Sequence, residues 1–163
     1  MCIMWFSKKT PKQWTFGSKP VVNWNPTFKT KYDMVTVCKI ILTEILGIED
    51  IELSIDVNDS QIKIFDTPDF ELKAMMTGYP KLKKYNLLLR SDIGAASVLP
   101  IVCHEMIHLK QMYNGQLQIV NKSFKWKGKD YPNSMPYFDR PWEMEAVQEQ
   151  RKIENKVKEL YYE

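Results

Sequence analysis

Apolar residues recur at helical spacing over 32–47, at Val35, Cys38, Ile41, Leu42, Ile45 and Leu46, and the run stops at Gly47, a common helix terminator. Residues 51–57 alternate apolar and polar side chains, the pattern of a half-buried strand. Short apolar runs at 62–65 and 85–90 predict two more strands, with Asn58-Asp59 as the turn before the first. Ser97 can cap a helix running to Asn114 and ended by Gly115, which puts Pro100 in the first turn, where no backbone donor is missed. Residues 117–131 read as one or two strands around Lys127-Gly128-Lys129, and Pro141 opens a last helix over 142–161. There is no internal repeat and no low-complexity tract.

The chain has 163 residues, the size of one ordinary domain, with 44% hydrophobic and 26% charged residues, the balance of a globular protein. The net charge of +3 is too mild to name a polyanionic partner. The six glycines are dispersed, which excludes the clustered glycines of a dinucleotide fingerprint or a P-loop. Three cysteines, Cys2, Cys38 and Cys103, are too far apart in sequence for a knuckle or a redox pair, and Cys38 and Cys103 read as core fillers. No apolar run reaches membrane-spanning length, and residues 1–6 lack the features of a secretory signal, so an intracellular protein is expected.

Residues 1–31 differ from the rest. They hold six lysines, no acid, and the aromatics Trp5, Phe6, Trp14, Phe16, Trp24 and Phe28, while Pro11, Pro20 and Pro26 forbid a continuous helix. They read as an irregular basic arm, leaving 32–163 as the domain proper. Lysines interleaved with aromatics can hold single-stranded nucleic acid, so a nucleic-acid-associated module is one functional reading. Aromatics packed on the domain beneath solvated lysines are the blander one.

The chemistry concentrates at His104-Glu105-Met106-Ile107-His108. Residues four apart on a helix share a face, so both imidazoles can reach one zinc ion, and Glu105 then stands beside an open coordination position as a general base. The surrounding helix is apolar nearly all round, and these are the only two histidines in the chain. Buried polar groups need partners, so the pair implies a ligand. A third protein ligand must come from elsewhere and cannot be histidine. The helix after Pro141 offers Glu143 and Glu145. Its apolar stripe, through Ala146 or Val147, Ile153, Val157 and Leu160, steps back to Glu143, whereas Glu145 aligns with Glu149, Lys152 and Lys156 on a solvated face. Glu143 is therefore the expected metal ligand. A closed structural site would use four protein ligands, and Cys103, adjacent to His104, faces away.

His104-Glu105-x-x-His108 with Gln111, then Trp126-x-Gly128-x-x-Tyr131, then Pro141-Trp142-Glu143-x-Glu145-Ala146, resembles the small metallopeptidase-like proteins of bacteriophages, which are similar to gluzincins. The resemblance implies a compact zincin-like α+β domain with a support helix, a small sheet, an active-site helix and a glutamate helix. It implies one Zn2+ per chain on His104, His108 and Glu143, and hydrolysis of a peptide or protein substrate with Glu105 as the base. Tyr131 and Tyr137, in the loop before the glutamate helix, are the candidates to stabilise the oxyanion. The family's second acidic position falls on Val147, which leaves the orientation of the histidines without a carboxylate; Gln111 is the candidate partner. A non-catalytic, zinc-stabilised phage protein is the remaining alternative.

Overall fold

A computed structural model describes residues 9–68, 70–120 and 123–162. The fold is α+β, as expected: a four-stranded mixed sheet, four α-helices and a separate three-stranded meander. The sheet runs β1-β2-β4-β3, built from β1 (Val21–Trp24), β2 (Glu52–Val57), β4 (Lys84–Leu89) and β3 (Ala74–Tyr79). The first three strands are parallel and β3 is antiparallel to β4. β4 is central, and Tyr85, Leu87, Leu88 and Leu89 are all buried, as covered strands require. β2 buries Leu53 and Ile55 between exposed Glu52 and half-buried Ser54, so its alternation is borne out. At the β3–β4 pair, Gly78 lies opposite Tyr85, and a Cβ at Gly78 would fall 2.5 Å from the Tyr85 ring. Only glycine allows that ring to lie flat across the edge strand.

The first helical segment consists of α1 (Met34–Ile40) and a π-helical turn (Ile41–Ile45), capped by the Asp33 side chain, which accepts from the Val35 N–H. Its Ile40, Ile41 and Leu42 side chains are fully buried. Cys38 and Cys103 are fully buried, and burial pushes both thiols up, Cys103 to about 12, so they are core fillers as expected.

Several elements depart from the sequence reading. The 62–65 run is not a strand. Asn58 accepts from the Gln61 N–H and starts the one-turn helix α2 (Asp59–Lys63), whose single buried residue is Ile62. Within the 1–31 arm, residues 21–24 are not irregular: β1 extends the sheet beside β2, because a four-residue edge strand fits between Pro20 and Pro26. Trp14, Phe16, Trp24 and Phe28 pack against the core, and Lys12 sits 4.5 Å over the Trp14 ring. Trp5 and Phe6 lie outside the described residues.

The long helix α3 (Ala95–Tyr113) starts at Gly94 rather than Ser97, since Ala95 and Ala96 are good helix formers. Pro100 is thus in the second turn, where its ring removes the bond to the Ala96 carbonyl. Residues 117–131 hold three strands, β5 (Leu117–Val120), β6 (Ser123–Trp126) and β7 (Lys129–Tyr131). Lys127 and Gly128, at φ 49° and 83°, make the tight turn between the last two. The last helix, α4 (Pro141–Tyr161), packs along α3.

Candidate metal centre

Buried polar side chains are costly unless partnered. Among the described residues they are Arg90, Glu105, His108, Gln111 and Glu143, and four of these five form one cluster between α3 and α4. The exception, Arg90, follows β4 and bonds Asp66 at 3.0 Å and Glu71 at 3.3 Å.

His104 and His108 project from successive turns of α3, with ring centroids 5.0 Å apart. One ligand atom each from His104, Glu105 and His108 lie within 4.8 Å of one another, an arrangement that could hold a metal ion. From α4, Glu143 Oε2 reaches His104 Nε2 at 3.1 Å and His108 Nε2 at 3.0 Å. A tetrahedral ion with ligand bonds of about 2.0–2.1 Å sets its ligand atoms about 3.3–3.4 Å apart, so each imidazole–carboxylate spacing is already close to one edge of such a tetrahedron.

The outer nitrogens of both imidazoles are held. His108 Nδ1 donates to Gln111 Oε1 at 2.8 Å. The amide orientation of Gln111 follows from its other contacts, because Nε2 meets two acceptors, the Trp142 carbonyl at 3.0 Å and Glu145 Oε1 at 3.2 Å. His104 Nδ1 lies 3.1 Å from Gln150 Oε1 and donates to it. Each Nδ1 therefore carries its hydrogen, and each Nε2 is aimed at the cluster, the arrangement that suits an imidazole ligand. Glu145 is accordingly not a member of a solvated face. It is half-buried and helps fix Gln111.

Gln150 was not singled out in the sequence. It sits seven residues beyond Glu143, two turns along one face of α4, and that spacing is the signal that would have found it. Val147, between them in the stripe, is 59% exposed, whereas Ala146 is fully buried.

Electrostatics follow from this packing. Burial alone would raise Glu143, but hydrogen bonds from His104 and His108 hold its carboxyl well below the usual carboxylate range. Burial alone would lower His108, yet the bond to Glu143 lifts it to about 9. Glu105 is raised, chiefly by burial, with the histidines opposing.

The two candidate tyrosines separate. Tyr137, in a 3-10 turn (Tyr137–Asp139), places its hydroxyl 3.3 Å from His104 Nε2, and burial raises its pKa. Its ring stacks on Phe70 at 4.4 Å, within the segment that Arg90 anchors through Asp66 and Glu71. The Arg140 guanidinium fastens the loop by donating to the Met135 and Asn133 carbonyls. Tyr131 does something else: it meets Trp142 edge-on at 5.6 Å. With Phe124 and Trp126 it forms an aromatic clasp around Trp142, the neighbour of Glu143. The meander thereby fixes the start of α4.

Among the described residues no helix is long and apolar enough to cross a membrane. Compared with known protein families, curated proteins and solved structures, the chain matches none of them.

Proposed function

We propose that the chain is a zinc-dependent peptidase of gluzincin type, with His104, His108 and Glu143 as the ligands and Glu105 as the general base. The observation that carries this reading is the convergence of two imidazole Nε2 atoms on one Glu143 oxygen at 3.0–3.1 Å, with both Nδ1 atoms pinned by glutamines. Two nitrogens and one carboxylate make a three-ligand set, the number used by catalytic rather than structural zinc sites. Bound zinc would supply Lewis acidity, making a water acidic and a carbonyl electrophilic at neutral pH.

The chain's own residues supply the rest. Glu105, raised by burial, accepts the proton of the attacking water and returns it to the leaving amine. Tyr137, kept protonated, donates its O–H to the oxyanion as charge develops there. β3 is the edge of the sheet and packs against α3, so its outer side can take an extended peptide as an added strand.

The test uses protein purified without added metal and then loaded with zinc. Wild type should hydrolyse a mixture of quenched fluorescent peptides. Glu105→Gln should keep its zinc and lose about 10²–10⁴-fold in rate. A wild-type chain that binds no zinc on titration would sink the proposal.

A further inference from the structure

Three large apolar side chains next to the cluster stand open to solvent: Phe138 at 74%, Met144 at 52% and Val147 at 59%. Together with Glu143 and Gln148 they line a cleft of about 260 Å³. Isolated exposed hydrophobics need no explanation, but a contiguous group at a site does. Several of its members are tied to the cluster by geometry. Val147 lies on the helix face between Glu143 and Gln150, the two residues that bond opposite nitrogens of His104. Phe138 follows Tyr137 and meets its ring edge-on at 5.5 Å, while the Tyr137 hydroxyl touches His104. Met144 follows Glu143. The cleft thus opens beside the ligand set rather than elsewhere on the surface.

We infer that Phe138, Met144 and Val147 form the subsite for an apolar side chain, aliphatic or aromatic, of a peptide substrate residue flanking the scissile bond. The inference rests on the peptidase reading above. The cleft is smaller than the roughly 300 Å³ at which whole small-molecule sites begin, which suits one side chain rather than a cofactor. Its only charged lining residue is Glu143, already engaged by both histidines. A charged substrate side chain would therefore lose water there without gaining a partner, whereas an apolar one covers exposed hydrocarbon.

The experiment measures binding, not turnover. Three probes are titrated calorimetrically into the zinc-loaded full chain: acetohydroxamate, which has no side chain, N-acetyl-leucine hydroxamate and N-acetyl-aspartate hydroxamate. The leucine probe should bind about tenfold more tightly than the aspartate probe. In Val147→Ser and Phe138→Ser that preference should shrink to about twofold or less, with acetohydroxamate affinity and zinc content unchanged. Equal affinities for the two side-chain probes, or a preference that survives both substitutions, would overturn the subsite alone. Failure of acetohydroxamate to bind at all would overturn the metal reading and the subsite with it.

Discussion

Gln150 accepts a hydrogen bond from Nδ1 of His104 across the α3–α4 interface, 3.1 Å away, while Glu143 on the same face meets the opposite ring nitrogen. One helix thus holds both ends of an imidazole that belongs to another. Gln111 does the same service for His108 from within α3 and adds two bonds to α4. Both orienting partners are neutral amides.

Removing either amide should loosen the metal. Gln150→Leu is expected to weaken zinc binding about 10–100-fold, measured by competition with a chelating dye, and Gln150→Glu to restore it. Gln111→Leu should do at least as much damage, because it also strips partners from Trp142 and Glu145. Wild-type affinity in both leucine variants would mean that the rings are oriented by packing alone.

The two acids of α4 should separate by metal content. Elemental analysis should find most of the zinc lost from Glu143→Ala and retained by Glu145→Ala, whose carboxylate touches only Gln111 among the cluster residues. The reverse pattern would move the third ligand to Glu145.

His108 makes the metal-free chain sensitive to pH. Its folded pKa of about 9 lies above the ordinary value near 6.5, so its pairing with Glu143 adds stability that is complete below about pH 6.5. That contribution is lost as pH rises through about 9. Zinc needs the unprotonated Nε2, so below about pH 9 binding displaces the His108 proton and tightens by up to about tenfold per pH unit, flattening above it. Calorimetric zinc titrations at about pH 7.5 in two buffers of different ionisation enthalpy measure the released proton. Zero release there would show His108 already neutral.

The aromatic clasp should matter to the site as well as to the fold. Trp142→Ala should cost about 3–5 kcal/mol in urea unfolding and should also weaken zinc binding, because Trp142 precedes Glu143. Phe138→Ser, at an exposed ring, should stay within about 0.5 kcal/mol of wild type.

What could be read before the fold was known follows a simple divide. His104, Glu105 and His108 belong to one helix, and Glu143 to the apolar stripe of another, so helical periodicity places each of them. Which helix meets which is a tertiary fact, and Gln150 acquires its role only when α4 is laid beside α3. The Glu145 assignment failed for the same reason: its own helix marks that side as polar, but Gln111 arrives from the neighbour. Tyr131 ends β7 and Tyr137 opens the 3-10 turn, and only the course of the chain between them sends one to Trp142 and the other to His104.

The sheet was less legible. β3 is Ala-Met-Met-Thr-Gly-Tyr, with little strand preference of its own, and it forms because β4 pairs with it and Tyr85 covers Gly78. The 62–65 run has strand-like residues, yet Ile64 and Phe65 are exposed, and the Asn58 cap decides the local structure. Short apolar runs do not carry a period long enough to choose between the two.

Glu143 stands in the first turn of α4, where its N–H donates to the Arg140 carbonyl at 3.0 Å and the Arg140 position offers no side-chain cap. A ligand at such a position is only as persistent as the turn that bears it. Phe124, Trp126 and Tyr131 grip the adjoining Trp142 and so brace that turn from outside α4. The meander contributes none of the clustered side chains, yet it is the abutment against which the turn bearing Glu143 rests.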